Sequence, residues 1–310
     1  MKSTQPNILG KEFDCINKII KRLPTLSIGD DCAVLEFGGK KLLVSVDTFS
    51  DKVHFDTKYF SLKEIGQKCC EASISDVAAM GGKPLYIAIS LAVPNYKLIH
   101  DIVNGIKSSV QRHKIFVIGG DTTYSKVLSI SITVLGTTIK PIYRYGARPG
   151  DAVYTTGYTG LSAAGLYVLK KKIKGSKKLE QKHKHPIAQI EKGLVAAKYA
   201  TSMIDISDGL ASELYHLAFQ GKVDIEVSHI PLSTELKSFC KKQKLVPQNL
   251  ALYGGEDYEL LLTGPEEELS KIKGLIKIGQ VINKSNNSEV LIKQGTKSLL
   301  LDPSKGFKHF

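Results

Sequence analysis

The chain has 310 residues, of which 42% are hydrophobic and 24% charged, a composition typical of a soluble globular protein long enough for two domains. The five cysteines include no C-x-x-C spacing, which argues against a disulfide framework or zinc ribbon and favours a reducing, cytoplasmic compartment. The formal net charge of +13 is concentrated in residues 170–184, where eight lysines stand without an aromatic residue, so we expect no nucleic-acid partner.

The N-terminal part of the chain predicts an alternation of helices and strands. The expected elements are a helix over 10–22, a strand over 41–48, a helix over 61–80, a strand over 84–93, a helix over 96–113, and strands over 115–118 and 127–138. Gly81 ends the second helix, so Asp76 is expected in its last turns. Residues 140–151 concentrate proline, glycine and arginine, so we divide the chain there into domains of residues 1–140 and 146–310.

The C-terminal part predicts a strand over 151–157, a glycine turn, and then further helices and short strands. Helices are expected near 187–200, 208–220 and 234–243, and strands near 223–227, 257–263, 275–282, 289–292 and 297–301. The lysine-rich residues 170–184 are predicted to form a solvated helix end and loop. The longest uncharged apolar stretch, residues 84–94, is about half as long as a bilayer span, so we expect no membrane association.

Acidic residues recur where an apolar run breaks at or beside glycine. The six segments are residues 28–31, 45–48, 73–76, 119–123, 205–209 and 254–259. A carboxylate at the end of a buried strand needs a compensating positive charge, and the immediate neighbours are glycine, serine and threonine rather than arginine or lysine. The segments therefore predict a bound cation, and oxygen donors suit Mg²⁺, Mn²⁺ or Ca²⁺ better than Zn²⁺. Each segment alone is more typical of a turn or helix N-cap, as Ser207 before the helix at 208–220 illustrates, and only the six together favour a metal site.

The familiar phosphate-binding motifs are absent from the sequence. There is no G-x-x-x-x-G-K-[ST], no G-x-G-x-x-G after a strand and no H-R-D catalytic loop. An ATP-dependent enzyme with this sequence would have to replace the P-loop lysine with metal ions. Candidate phosphate contacts are the backbone at Gly119 and Gly120 and the side chains of Arg144 and Arg148.

Eight segments, in order, carry a resemblance to a known family. They are IGDDCAVL, SVDTFSDKVHF, SISDVAAMGG, IGGDTTYS, RYGARPGDAVYTTG, IDISDGLASEL, YGGEDYELLLT and the terminal KGFKHF. This set resembles the thiamine-monophosphate kinases, of the superfamily that includes aminoimidazole ribonucleotide synthetase and selenophosphate synthetase. The resemblance implies an α/β (α+β) fold of two aminoimidazole-ribonucleotide-synthetase-like domains, each a mixed sheet with helices. It also implies a homodimer that transfers phosphate from ATP to thiamine monophosphate with several Mg²⁺ ions.

The resemblance also assigns roles to individual residues. The metal ligands it implies are Asp31, Ser45, Asp47, Asp76, Asp121, Asp205 and Asp208. The implied ATP contacts are Gly120, Asp121, Arg144 and Ser207, and the implied substrate contacts are His54, Glu256 and Phe307. Asp30 is then a turn or cap residue. No general base is required, because the acceptor is a phosphate whose second pKa is about 6.

Two departures and several rivals remain at this point. Val46 stands where the family has threonine, so any metal ligand there is a backbone carbonyl, and the lysine-rich insert is peculiar to this chain. A selenophosphate synthetase would carry a catalytic cysteine in a glycine-rich N-terminal segment, whereas Cys15 lies in an amphipathic pattern; a hydrogenase-maturation relative would end in cysteine rather than Phe310. Another ATP-dependent enzyme of the superfamily, a non-catalytic dimeric binding protein of this fold and a basic RNA-binding protein remain as alternatives.

Overall fold

The structure, a computed structural model, describes residues 10–26, 28–295 and 297–306. Within these residues the chain forms two mixed sheets, each accompanied by helices, as the fold class expected from the sequence requires. The first sheet lies wholly within residues 33–138 and the second within residues 152–300.

The first sheet has the strand order β1-β2-β5-β3-β4. Its strands are β1 (Ala33–Phe37), β2 (Lys40–Ser50), β3 (Lys83–Val93), β4 (Phe116–Tyr124) and β5 (Ser129–Thr138), and its helices are α1 (Gly10–Arg22), α2 (Leu62–Ala79) and α3 (Ile99–His113). The pair β3–β4 is parallel, whereas β1–β2, β2–β5 and β3–β5 are antiparallel. A 3₁₀ turn over Tyr96–Leu98 leads into α3.

The second sheet has the order β12-β11-β8-β10-β6-β9-β7. Its strands are β6 (Ala152–Thr155), β7 (Ser202–Asp205), β8 (Val223–Val227), β9 (Leu260–Gly264), β10 (Ile276–Lys284), β11 (Val290–Gln294) and β12 (Lys297–Leu300). The accompanying helices are α4 (Leu161–Lys171), α5 (Lys177–Lys184), α6 (Ile190–Ala196), α7 (Leu210–Gly221), α8 (Thr234–Gln243), α9 (Pro247–Tyr253) and α10 (Glu266–Leu269), followed by a 3₁₀ turn over Pro303–Lys305.

Helix α2 is the element that joins the two halves. Ser61 caps its N-terminus in a capping box with Glu64, which satisfies backbone N–H groups that the first turn leaves unpaired. The helix packs against β2 and β5 of the first sheet and against α6 and β7 of the second half. One hydrophobic cluster accordingly runs from the first sheet through α2 to Met203 and Leu260. Polar side chains on α2 are therefore buried between the halves, where they must find partners.

Strand β4 differs from the sequence-based expectation. A strand was predicted over 115–118, where the apolar run breaks at glycine, but β4 continues through Gly119, Gly120 and Asp121 to Tyr124. Glycine permits this continuation because β3 approaches closely: a Cβ atom at Gly120 would lie 1.8 Å from the carbonyl oxygen of Ile89. Asp121 is therefore a residue inside an edge strand rather than a turn residue.

The lysine-rich segment also differs from its prediction as a solvated helix end and loop. Residues 177–184 form α5, whose Leu179 and His183 are each 2% exposed. Gly165 of α4 allows the two helices to touch, since a Cβ there would lie 2.1 Å from the carbonyl oxygen of Leu179. Lys177, Lys178 and Lys182 are exposed along this helix, which is anchored by the two buried side chains, whereas Lys184 pairs with Glu64. None of the helices in the described part of the chain is long and apolar enough to cross a bilayer.

Candidate metal and substrate site

Three carboxylates that are far apart in the sequence meet beside α2. Asp31 lies in the loop before β1, Asp76 in the last turns of α2, and Asp205 at the end of β7. One oxygen atom from each lies within 4.8 Å of the others. Asp205 also accepts a hydrogen bond of 2.6 Å from the hydroxyl of Ser75, which fixes β7 against α2. We refer to Asp31, Asp76 and Asp205 as the acid cluster.

The acid cluster holds more negative charge than its surroundings compensate. Burial raises the pKa of Asp76 well above its ordinary value, and the charges of Asp47, Asp205 and Asp31 raise it further. Burial, followed by the charge of Asp31, raises the pKa of Asp205 to about 8. Like charges held this close in a dry site disfavour joint ionisation unless a cation enters.

Arg144 supplies part of the compensation, which the sequence did not reveal. The immediate neighbours of these acids are small and uncharged, but Arg144 reaches Asp31 from the segment between the two sheets, with Nη2 2.5 Å from Oδ1. Its Nε has no hydrogen-bond acceptor among the described residues. One guanidinium therefore faces a cluster of several carboxylates.

The atoms left without partners fit a hard metal cation. Asp31 Oδ2 and Ser45 Oγ are buried and make no hydrogen bond within the described residues. Carboxylate and hydroxyl oxygens are the donors that Mg²⁺ accepts. Cys32, next to Asp31 in the sequence, is a soft donor, but burial and then the charge of Asp76 raise the pKa of its thiol well above its ordinary value, so it remains a thiol.

Asp47 and Asp208 lie next to the acid cluster without completing it. Asp47 follows Ser45 by two residues on β2, so both side chains point to the same face of the strand. Burial raises the pKa of Asp47, and the charge of Asp31 adds to the shift. Asp208 lies in the loop after β7, where its N–H donates to Glu213 Oε1 at 3.1 Å. Burial and then the charge of Asp208 raise the pKa of Glu213, an acid that sequence reasoning treated as an ordinary helix residue.

Asp121 lies apart from the acid cluster within one chain. It is opposite Ser90 on β3, Ser90 is opposite Ser131 on β5, and Ser131 is opposite Thr48 on β2. Three strand spacings of ~4.8 Å separate β4 from β2 by about 14 Å. Thr48 and Ser131 share the exposed face, where their hydroxyls are 2.8 Å apart, whereas Asp47 points to the opposite face. Gly120 and Asp121 are thus not brought to these acids by the fold of a single chain.

Asp30 serves as a tether, in keeping with the turn role expected for it. Its carboxylate accepts hydrogen bonds from the N–H of Arg144, at 3.1 Å, and from the N–H of Asp31, also at 3.1 Å. Burial and then the charge of Asp31 raise its pKa to about 7. This tether holds the backbone of Arg144 beside the loop that carries Asp31.

The segments of residues 205–209 and 254–259 form one unit. The N–H of Glu256 donates to the carbonyl of Ser207 at 2.6 Å, and that of Tyr258 donates to Ile206 at 2.9 Å. Gly255 makes the approach possible, since a Cβ there would lie 2.3 Å from the Ser207 carbonyl oxygen. Burial raises the pKa of Tyr258 well above its ordinary value, followed by the charges of Glu256, Asp47 and Asp205. Glu256 is therefore within electrostatic reach of the acids.

The remaining expected substrate contacts are His54 and Phe307. His54 accepts a hydrogen bond of 3.1 Å at Nδ1 from the N–H of Ser50 and lies edge-on to Phe49 at 5.5 Å. Phe307 lies outside the described residues. Its neighbour Gly306 approaches the loop of Asp208, because a Cβ at Gly306 would lie 3.4 Å from the Asp208 carbonyl oxygen.

Lys68 is the contact that sequence reasoning missed. It lies two turns before Asp76 on α2, and its Nζ is 2.7 Å from Glu256 Oε1. A lysine inside a helix carries no sequence signal of burial, because lysine usually lies at a helix surface.

Comparison with known proteins identifies the family. Residues 29–138 match the N-terminal domain, and residues 148–291 the C-terminal domain, of AIR synthase related protein. The thiamine-monophosphate kinase of Aquifex aeolicus (strain VF5) is 37% identical over 308 residues, covering 96% of this chain and 98% of that protein. That of Bacillus subtilis (strain 168) is 34% identical over 328 residues, covering 96% and 99%. A solved structure of AaThiL complexed with AMPPCP and TMP has a TM-score of 0.86 at 35% identity, covering 97% of this chain and 99% of that chain.

Two matched domains with the acid cluster between them place the chain in the AIR synthase related family. The sequence identity to the two thiamine-monophosphate kinases is above 30% over almost the whole chain, which narrows the assignment to one group of this family. Within that family, the chain belongs to the thiamine-monophosphate kinases, which are phosphotransferases. The resemblance carried by the motifs and the two-domain fold it implied are confirmed.

Proposed function

We propose that this chain phosphorylates thiamine monophosphate to thiamine diphosphate by direct in-line transfer from ATP. The observation that carries the proposal is the acid cluster, with unpartnered Asp31 and Ser45 oxygens, in a chain of this family. The solved relative bound to AMPPCP and TMP supports the two substrates. Within the superfamily, these findings favour the kinase over other ATP-dependent enzymes and over a binding protein.

The residues suit a reaction that needs no general base. A phosphate acceptor with a second pKa of about 6 is largely deprotonated at neutral pH. Asp31, Asp47, Asp76 and Asp205, with the hydroxyl of Ser45, would hold several Mg²⁺ ions. When bound, such ions neutralise and orient phosphate oxygens for in-line transfer. Arg144 is placed to exchange its contact with Asp31 for a phosphate, which a guanidinium binds in a bidentate manner. Ser207 holds the Glu256 loop through its carbonyl group.

The direct test is the reaction itself. Purified chain incubated with ATP, Mg²⁺ and thiamine monophosphate is expected to yield thiamine diphosphate and ADP in equal amounts, measured by chromatography. Unphosphorylated thiamine is the matched control acceptor and should give no product, because it lacks the deprotonated phosphate. EDTA should stop the reaction. A folded sample that leaves ATP and thiamine monophosphate unchanged would overturn the proposal, and ATP loss without thiamine diphosphate would favour another enzyme of the family.

We further propose that the active form is a homodimer joined at β4. This edge strand is exposed along its length and carries Phe116 and Tyr124, exposed to 69% and 74%. A long apolar edge strand is normally covered, and a second copy of the chain is the cover expected for this family. Gly120 and Asp121 are remote from the acid cluster of their own chain. In a dimer joined at β4 they could instead reach the acid cluster of the partner copy.

Replacing Ile118 of β4 with lysine is expected to break this dimer. The native protein should have twice the chain mass of 33.9 kDa by light scattering, and Ile118→Lys should have the single mass and a much lower rate of phosphate transfer. Val103→Lys, at an exposed apolar position on α3, is the control and should remain dimeric. A native protein that is monomeric and fully active would contradict the proposal.

A cytoplasmic location completes the proposal. All five cysteines are free thiols and four of them are buried. Such thiols persist where the compartment is reducing.

A further inference from the structure

Lys68 is buried without a hydrogen-bond acceptor. The residue is 1% exposed, and its Nζ makes no hydrogen bond of acceptable geometry with any described residue. Its ion pair with Glu256 is short, 2.7 Å from Nζ to Oε1, but approaches outside a hydrogen-bonding direction. Burying an ammonium group costs free energy unless a negative charge and hydrogen-bond acceptors surround it, so the burial of Lys68 requires an explanation.

The surroundings make Lys68 the charged partner of Glu256. His183 also approaches Glu256, with Nδ1 3.6 Å from Oε2. Burial lowers the pKa of His183 well below its ordinary value, and the charge of Lys68 lowers it further, so the imidazole is neutral. Its Nδ1 atom is hydrogen-bonded to the hydroxyl of Ser162, 2.9 Å away. The ring of Phe60 lies 5.1 Å from the Lys68 ammonium and stabilises it through a cation–π contact.

The backbone holds Glu256 from the opposite side. Glu256 has a φ of 63°, in the left-handed region that residues other than glycine rarely adopt. Its N–H is bonded to the carbonyl of Ser207, and its side chain is 26% exposed. The main chain therefore fixes the backbone of Glu256, and Lys68 fixes the position of its carboxylate.

Helix α2 places this pair at a fixed distance from the acid cluster. Lys68 and Asp76 are eight residues apart on one straight element, or about 12 Å at 1.5 Å per residue. Thiamine monophosphate carries its phosphate on a two-carbon arm of the cationic thiazolium ring, and its aminopyrimidine ring lies at the far end. With the phosphate at the acid cluster, a carboxylate held beside Lys68 of α2 is a suitable partner for this organic part.

We propose that Lys68 is a positioning residue that orients the Glu256 carboxylate towards the organic part of thiamine monophosphate. The inference rests on the proposed function, and it adds a residue that acts through Glu256 rather than on the phosphates. Lys68 thereby couples substrate recognition to the same helix that carries Asp76.

The test compares Lys68→Met, Lys68→Arg and Glu256→Gln with the native enzyme. Lys68→Met is expected to raise KM for thiamine monophosphate about tenfold or more while KM for ATP changes less than about twofold. Lys68→Arg should recover part of the loss, because it restores the charge. The double variant Lys68→Met/Glu256→Gln should be no worse than Glu256→Gln alone, since the lysine acts through the glutamate. Lys63→Met, at an exposed position on the same helix, should match the native enzyme.

The outcomes distinguish a failure of the role proposed for Lys68 from a failure of the proposed kinase function. Lys68→Met leaves the Glu256 carboxylate without its counter-ion and is expected to lower the thermal unfolding midpoint, so the KM values are compared at a temperature at which every variant is fully folded. Unchanged KM for thiamine monophosphate, an equal change in both KM values, or additive effects in the double variant would overturn the role of Lys68 while leaving the kinase assignment intact. A native enzyme that makes no thiamine diphosphate would overturn the proposed function and this inference with it.

Discussion

Replacing Asp76 with asparagine is expected to lower kcat by about 10³-fold or more without unfolding the protein. Asp76 lies in the acid cluster, where burial and then the charges of Asp47, Asp205 and Asp31 raise its pKa. Removing its charge weakens the binding of metal ions that neutralise the phosphates, but also relieves repulsion among the remaining acids. The variant should therefore be at least as stable as the native protein in the absence of metal.

Steady-state kinetics and thermal unfolding with and without Mg²⁺ measure these two effects together. Mg²⁺ is expected to raise the Tm of the native protein, because it binds the folded state, and to raise that of Asp76→Asn less. Asp101→Asn, at an exposed position on α3, is the matched control and should behave like the native enzyme in both assays. A native rate in Asp76→Asn would show that the acid cluster is not the metal site.

Replacing Glu71 with glutamine is expected to lower the free energy of unfolding by about 1–3 kcal/mol at neutral pH. The Glu71 side chain is 0% exposed and accepts hydrogen bonds from Arg112 at 2.6 Å, from His113 at 2.9 Å and from the N–H of Ala188 at 3.0 Å. It therefore joins α2 to α3 and to the segment before α6. Glutamine keeps the shape but removes the buried carboxylate charge that pairs with Arg112, whose side chain is 39% exposed.

The effect should depend on pH with a defined sign. Burial alone would raise the pKa of Glu71, but the hydrogen bond and charge of His113 and the N–H of Ala188 outweigh it and lower the pKa below 4.5. A lowered folded-state pKa stabilises the fold above the ordinary value, and that contribution disappears as the pH falls through the folded-state pKa. Denaturant unfolding at several pH values should show the native protein and Glu71→Gln converging below about pH 4.5.

The matched control is Glu267→Gln, at an exposed position on α10. It should leave the unfolding free energy within about 0.5 kcal/mol of native at every pH. A constant difference between Glu71→Gln and the native protein across the acidic range would contradict the electrostatic explanation.

Local patterns in the sequence were sufficient for most elements. The strand at residues 223–227 and the helix at 234–243 were predicted with the bounds that the structure has, and α2 lies within one residue of its prediction at each end. Helices α2 and α8 have serine N-caps, Ser61 and Ser233, and two glycines follow α2, so local signals mark their ends. Strands β1 and β7 were missed, since they are short and their apolar residues show no alternation. Helix α5 was missed because its polar composition conceals two anchoring residues.

For the candidate site, the sequence predicted the residue types, whereas the contacts between them were visible only in the structure. The sequence by itself determined the family and predicted the chemistry, because the identity and order of acids such as Asp31, Asp47, Asp76 and Asp205 match that family and favour an oxygen-donor cation site. Only the tertiary structure decided which charges meet: Arg144 reaches Asp31, Lys68 reaches Glu256, and Asp121 faces away. Sequence periodicity reports on neighbours within a few residues. Coulomb interactions and desolvation act between side chains more than a hundred residues apart, so packing around α2 sets them.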